Sequence, residues 1–320
     1  MTAESIPSEV GPLFSVIIPW HANTDHLVRA AASAGRQTER DFELIIVCNG
    51  PACGFPQEEL AALRLPPHRL LRSEPADANA ARNAGIDNAK GAWLAFLDAD
   101  DEFESGKLAR LRLAIARHEA DIFLSLGQRV RGGGKISVFP KHGLKTGGNL
   151  SEYFFSTGSN CSTSAIAVRQ ETARAVRFTP GLAKFQDNDF LIRCQAAAAR
   201  FHMLDDCLFI WHDSSEAGRI SRGTDYERQM QWAKSLAPAF TEKAYHAFCA
   251  RRVAQYMFPR DFFRNSMRFW NGWRHGGLSA LDTGLIIVRA ILPAGLARRG
   301  VDLHARFTQR KTGQAGHELD

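Results

Sequence analysis

Apolar positions in the first half of the chain fall into short continuous runs separated by stretches with helical spacing. Phe14-Ser-Val-Ile-Ile-Pro19 is rich in β-branched residues and closed by proline, which predicts a buried strand. An Ala-rich helical stretch follows over residues 27–34. Phe42-Glu-Leu-Ile-Ile-Val-Cys48 predicts a second strand, stopped by the turn signal Asn49-Gly50-Pro51. Residues 68–72 predict a short third strand, 78–89 a helix, and Trp93-Leu-Ala-Phe-Leu97 a fourth strand. A helix over 107–118 and a strand over 121–126 continue the series. Glycines at 132–134 and 147–148 mark exposed loops. Beyond them the pattern predicts a strand over 162–168, a helix over 185–200 and a strand over 207–211. From Asp225 onward it is helical.

This alternation predicts an α/β fold with a mostly parallel central sheet flanked by helices and a helical extension at the C-terminal end. Ligands of such sheets collect beyond the carboxyl ends of the strands. The residues to question are therefore Pro19-Trp20-His21-Ala22-Asn23, Cys48-Asn49-Gly50 and Asp98-Ala99-Asp100-Asp101.

Composition narrows the class. The 320 residues are 45% hydrophobic and 23% charged, which excludes a disordered or collagen-like chain. The formal charge of +6 divides unevenly: residues 1–105 carry −8 and residues 106–320 carry +14. The most structured part is thus the acidic part, against the basic recognition module expected of a nucleic-acid binder; no nucleic-acid partner is expected. Six cysteines occur without a CxxC pair or zinc-ligand spacing, and reduced thiols are expected. The polar residues 1–12 are expected to be flexible and contain no apolar signal core. Arg289 and Pro293 interrupt the apolar stretch 284–296, and no uninterrupted apolar run approaches the ~18 residues of a membrane span. A cytoplasmic location is expected, either free or peripheral at the inner face of the cell membrane.

The acidic cluster carries the chemistry. Asp98 and Asp100, one residue apart at the exit of a buried strand, repel each other and suit a divalent cation that also bridges phosphate oxygens. Asp101 alone also suits a helix cap. In order along the chain stand Ser15-Val-Ile-Ile-Pro19, Phe42-Glu-Leu-Ile-Ile-Val47, Ala81-Arg-Asn-Ala-Gly-Ile86, Ala89-Lys-Gly-Ala-Trp93 and Phe96-Leu-Asp-Ala-Asp-Asp101. Together they resemble family 2 glycosyltransferases, strongly over residues 13–110 and more weakly to about 222. The resemblance implies a Rossmann-like GT-A fold, an inverting hexosyltransferase reaction, a nucleotide-sugar donor (UDP-sugar by default) and Mn²⁺ or Mg²⁺. It makes Asp100 the metal ligand, Asp98 a ligand or a support for the donor, and Arg82 a neighbour of the nucleotide. Gln186-Asp187-Asn188-Asp189, with Arg193 six residues past Asp187, resembles the family's later motif, in which the aspartate is the general base. Asp187 is the candidate and Asp189 its rival.

Further assignments follow from position. His212, after the apolar residues 207–210, lies where some members of the resembled family place a basic or metal-binding residue, which makes it a candidate third metal ligand; the alternative is an ordinary hydrogen-bonded histidine. Arg219 and Arg222 flank Ile220-Ser221 in a segment expected to close, where they would clamp the diphosphate. Pro19, His21, Cys48 and Asn49 occupy the nucleobase side, and here the chain departs from the family pattern. Cys48 stands where an aspartate is usual, and Gln186 replaces a glutamate. That erosion leaves a second reading open, a catalytically silent relative that acts as a binding or scaffold protein.

The domain boundaries expected are a catalytic domain over 13–222 and a basic helical region over 223–320. Within the former, 13–110 is the nucleotide-sugar half and 111–222 the acceptor-side half. Residues 219–320 carry +9, with arginines interleaved among Phe258, Phe262, Phe263, Trp270 and Trp273. Such helices either lie on an anionic membrane surface or pack their aromatics against the protein or a twin subunit. The acceptor expected is a glycan or lipid-linked saccharide of surface polysaccharide biosynthesis.

Overall fold

The first two strands of the chain have no polar face to offer water. β1 (Phe14–Trp20) and β2 (Phe42–Asn49) are buried along their whole lengths, as expected of parallel strands covered on both sides. The computed structural model describes residues 11–51, 54–141, 143–145, 147–213, 225–254 and 261–291. β1 pairs in parallel with β2 and with β4 (Trp93–Phe96), and β2 pairs in parallel with β3 (His68–Ser73). The registers Trp20 with Cys48 and Ile17 with Phe96 bring the carboxyl ends of three strands to one edge.

Helix α1 (Thr24–Gly35) begins at Asn23, whose side chain accepts from the His26 N–H. Short α2 (Gln57–Ala61) precedes β3. Helix α3 (Ala78–Asn88) is capped by Asp77 and lies against β1 through Gly85. A Cβ at Gly85 would stand 2.5 Å from Ile17 Cγ2. The close approach sets the height of Arg82, about one turn earlier. At the opposite end, buried Glu43 accepts from the Ser15 hydroxyl, the Lys90 N–H and the Arg69 guanidinium, each at 2.7 Å.

After β4 the sheet changes direction. Its order is β3-β2-β1-β4-β8-β6-β9-β5, with β7 on β6. Here β5 is Glu102–Phe103, β6 Ile122–Arg131, β7 Lys135–Phe139, β8 Ala167–Arg169 and β9 Phe201–Asp213. β8 is antiparallel to both β4 and β6, whereas β6 and β9 are parallel with two register shifts. The expected α/β sheet is therefore present, parallel in its leading part and mixed beyond it. Helices α4 (Lys107–Arg117), α5 (Leu150–Phe155), α6 (Gln170–Val176) and α7 (Gln186–Ala196) complete this part.

Local differences have local causes. The strand expected over 162–168 is a 3₁₀ turn, Thr163–Ala165, before the three-residue β8. The Ser162 hydroxyl accepts from the Ser164 N–H, the competition with sheet pairing at which Ser and Thr excel. The strand expected over 207–211 runs thirteen residues because β6 pairs along most of it. The glycines at 132–134 turn the β6–β7 hairpin, with positive φ at Gly133 and Gly134. Cys48 is disulfide-bonded, against the reduced thiol expected of it, while Cys161, Cys194, Cys207 and Cys249 are free.

The chain divides into two compact units: residues up to 154 with 159–225, and residues 155–158 with 226 onward. The second unit contains α8 (Tyr226–Ser235), α9 (Glu242–Phe248) with a π-turn over Cys249–Ala254, α10 (Phe262–Arg274) and α11 (Ala280–Ile291). Its core gathers Phe155, Trp232, Phe240 and Phe248, with Phe155 stacked on Phe240 at 5.0 Å and edge-on to Phe248 at 5.2 Å. On α10, Phe269 is buried, while Phe262, Phe263, Met267, Trp270 and Trp273 are exposed. Among the described residues no helix is long and apolar enough to cross a membrane.

Candidate active site

The loops that leave β1, β2 and β4 border a cleft of about 390 Å³ lined by Pro19, His21, Asn49, Arg82, Asp98 and Asp100, among others. The His21 ring meets the Asn49 carbonyl across its mouth, with Nδ1 at 2.7 Å. Cys48 lies one residue deeper and is fully buried.

Below the cleft, the Asp98-Ala99-Asp100-Asp101 segment turns tightly, the Asp101 N–H donating to the Asp98 carbonyl at 3.0 Å. One carboxylate oxygen from each of Asp98, Asp100 and Asp101 lies within 4.8 Å of the others. Burial, then the charges of Asp100 and Asp98, hold the Asp101 carboxyl well above the usual carboxylate range. Its Oδ2 accepts from the Ser164 hydroxyl at 2.6 Å, and its Oδ1 is buried without a partner. Hard oxygen donors, mutual repulsion and an orphaned buried oxygen are what a divalent cation relieves, so the donor set fits Mg²⁺ or Mn²⁺.

Arg82 supplies a countercharge. Its side chain is only 4% exposed; it donates to Asp98 Oδ1 at 2.7 Å and to Asn79 Oδ1 and Gln186 Oε1 at 2.9 Å. Phe178 lies under the guanidinium at 5.2 Å. The contact to Gln186 ties α3 to the first turn of α7, where Asp187 stands.

Asp187 and Asp189 separate clearly. Asp189 is buried and engaged by Arg193 at 2.6 Å and by the Thr179 hydroxyl at 2.7 Å. Asp187 accepts a short hydrogen bond from the Thr163 hydroxyl. Burial first, and Asp98 second, push its carboxyl up to about 6, against the pull of Arg82. A carboxyl group tuned there is poised between accepting and releasing a proton near neutrality. α7 starts abruptly because Phe185 is left-handed, at φ 61°.

Comparison with known proteins gives the family. Residues 15–180 match the model of glycosyl transferase family 2, more than half of the chain. The chain belongs to glycosyl transferase family 2. Among its relatives is the amylovoran biosynthesis glycosyltransferase AmsB of Erwinia amylovora, 26% identical over 251 residues, 75% of this chain and 83% of that protein. A PGL/p-HBAD biosynthesis glycosyltransferase of Mycobacterium tuberculosis is 37% identical over 113 residues, 34% of this chain and 43% of that one. In structure the chain is similar to S. aureus TarS, solved in complex with UDP-GlcNAc, with a TM-score of 0.60 and 17% identity over 81% of this chain and 79% of that one. The fold is GT-A, and the protein is a glycosyltransferase.

Within this family 2 enzyme the remaining candidates distribute unevenly. His212 is beside the cluster, its backbone N–H drawing the Asp101 carboxyl downward against burial, but its ring Nε2 lies 2.9 Å from Glu102. Arg219 and Arg222 lie outside the described residues. Two groups escaped sequence reasoning. Thr163 and Ser164 each hold one acidic residue, and the only signal for them is the Ser/Thr run at 162–164. Lys107 is fully buried behind the cluster, donating to the Ser164 carbonyl at 2.9 Å and lying over the Phe103 ring at 4.7 Å. Burial pulls its ammonium down to about 7. A lysine opening a helix pattern gives no sign of that.

Proposed function

We propose that this glycosyltransferase is a metal-dependent inverting hexosyltransferase that uses a UDP-sugar and builds a surface polysaccharide on a glycan or lipid-linked saccharide. The observation that carries the reading is Asp187, tuned to about 6 beside the Arg82–Asp98 pair. The relation to an amylovoran enzyme and to a fold that binds UDP-GlcNAc supports the polysaccharide product and the UDP donor.

In this reading the nucleotide occupies the cleft beside Pro19, His21 and Asn49, and the diphosphate rests over Asp98 and Asp100. Bound there, a divalent cation supplies the charge that offsets the two phosphates and the negative charge growing on the leaving group. His212 is its candidate third ligand after leaving Glu102, and Arg219 with Arg222 are candidate clamps on the diphosphate. Arg82 keeps Asp98 oriented. Asp187 takes the proton from the acceptor hydroxyl as that oxygen attacks the anomeric carbon. The bond to the diphosphate oxygen breaks on the opposite face with its electron pair, which inverts the centre. The proton remains on Asp187 until solvent removes it.

We also place the enzyme at the cytoplasmic face of the membrane. The exposed aromatics of α10, set among Arg264, Arg268 and Arg274, suit the interface of anionic lipid.

The test is nucleotide release across a panel of sugar nucleotides, with and without Mn²⁺ or Mg²⁺, on the wild type and Asp187→Asn. Turnover of a UDP-sugar that needs both the metal and Asp187 is expected. Turnover that needs neither would overturn the mechanism.

A further inference from the structure

A second group of metal-type donors lies far along the chain from the acidic cluster. Glu242 and His246 are four residues apart on one face of α9, and His275 caps the C-terminal end of α10. Glu242 Oε1 lies 3.3 Å from His275 Nδ1 and 3.9 Å from His246 Nε2. One ligand atom from each of the three residues falls within 4.8 Å of the others. With zinc at about 2.0–2.1 Å from its ligands, neighbouring donors of a tetrahedral site stand about 3.3–3.5 Å apart. The Glu242–His275 pair stands at that spacing, and the Glu242 side chain, 74% exposed, can move toward His246, while the two imidazoles lie within 4.8 Å and would close by turning about their side-chain bonds.

The backbone is built to hold His275 there. Gly276, directly after it, has φ 68°, the left-handed turn that ends many helices. Gly277 presses on α9: a Cβ there would stand 2.5 Å from the Lys243 carbonyl oxygen and 2.8 Å from Ala247 Cβ. Within α10, a Cβ at Gly272 would meet Leu278 at 2.9 Å and the His246 carbonyl oxygen at 3.3 Å. Glycines on both sides of His275 thus fix its ring over α9, where it stacks on His246 with centroids 4.2 Å apart and planes 25° apart.

We propose that Glu242, His246 and His275 form a binding site for a zinc-class divalent metal that braces α9 against the end of α10, with the fourth position open to solvent. Two imidazoles select a borderline metal of this kind, whereas the all-oxygen set of Asp98, Asp100 and Asp101 suits magnesium or manganese. This site is independent of the transferase reading, and either can fail without the other.

The experiment is calorimetric titration of the untagged full chain with Zn²⁺ alone. The variants are His275→Ala, the shape-preserving Glu242→Gln and, as a control on the acidic cluster, Asp100→Asn. One zinc-binding event is expected in the wild type and in Asp100→Asn. His275→Ala and Glu242→Gln should each weaken it at least about 10-fold, since even residues that only support metal ligands are worth 10–100-fold. Substituting Co²⁺ should give the intense visible bands of a four-coordinate site in the wild type, and these should fade in Glu242→Gln. Because Glu242 is exposed, that variant keeps the test valid if His275→Ala fails to fold. Zinc binding unchanged in Glu242→Gln, or binding lost only in Asp100→Asn, would overturn the proposal.

Discussion

Arg82 and Asp98 meet at 2.7 Å although sixteen residues separate them, and the arginine is the far more buried of the two, at 4% against 27% side-chain exposure. The pair therefore cannot be read as a surface salt bridge of small consequence. Replacing Arg82 by alanine strands a carboxylate among two others and leaves Gln186 and Asn79 without their donor. Arg82→Ala should lose about 2 kcal/mol or more of stability by urea denaturation, in line with truncation of one partner in buried charge pairs. Asp98→Asn should cost less, because the arginine keeps two other acceptors.

Asp187 should show opposite effects on stability and catalysis. A carboxyl raised from 3.8 to about 6 binds its proton more tightly in the folded protein than in the unfolded one. Its ionisation therefore opposes folding above the unfolded pKa, and the penalty is complete once the pH passes the folded one. Asp187→Asn should be about 3 kcal/mol more stable than the wild type at pH 8, and the difference should vanish below pH about 3.5. The same substitution should lower kcat by about 10²–10⁴-fold. In the wild type kcat/KM should rise with pH through about 6, and that limb should be missing from the residual activity of the variant.

Metal addition gives a prediction of different sign at the acidic cluster. Mn²⁺ should raise the melting temperature of the wild type by relieving repulsion among Asp98, Asp100 and Asp101. Asp100→Asn should melt higher than the wild type without metal and respond less to Mn²⁺. A melting curve indifferent to Mn²⁺ in both proteins would contradict this.

Gly85→Ala separates helix propensity from packing. An alanine in the middle of α3 favours the helix by about 1 kcal/mol. Its methyl group would meet Ile17 at 2.5 Å in the sheet core, a clash worth about 1–3 kcal/mol or more. Net destabilisation is expected, together with weaker nucleotide binding as α3 and Arg82 lift from the strand ends. Gly85→Ala with Ile17→Ala, which removes the Cγ2 methyl that the new Cβ would meet, should recover part of the nucleotide binding.

The exposed face of α10 predicts sedimentation with vesicles. Phe263→Glu or Trp270→Glu should reduce binding to anionic vesicles several-fold without changing the melting temperature, since both side chains are more than half exposed. Raising the salt concentration should weaken the wild type through its arginines. Equal binding to neutral and anionic vesicles would contradict the electrostatic part.

The leading part of the sheet was legible because its strands are continuous apolar runs, and the polar residues after them could only lie at one edge. The acidic cluster was legible for the same reason. The later part was not. Strand β9 extends beyond its apolar core because β6 supplies partners, a tertiary cause that no local pattern carries. Asp187 and Asp189 were ranked in sequence only by the resemblance of one short motif, since both are acids in one first helical turn. Two positions turn a helix by about 200°, and so one faces Asp98 while the other meets Arg193. Lys107 was missed because a buried lysine looks the same on paper as an exposed one.

The 3₁₀ turn over Thr163–Ala165 places two neighbouring hydroxyls on two different jobs: Ser164 holds Asp101 and Thr163 holds Asp187. The gap between the acidic cluster and Asp187 is thus ruled by adjacent residues of one short segment that precedes α7 by more than twenty positions. A segment exchanged with a relative that begins before residue 162 brings its own spacer together with its own counterpart of Asp187. One that begins after 166 inherits a foreign spacing and should yield a folded but idle chimera.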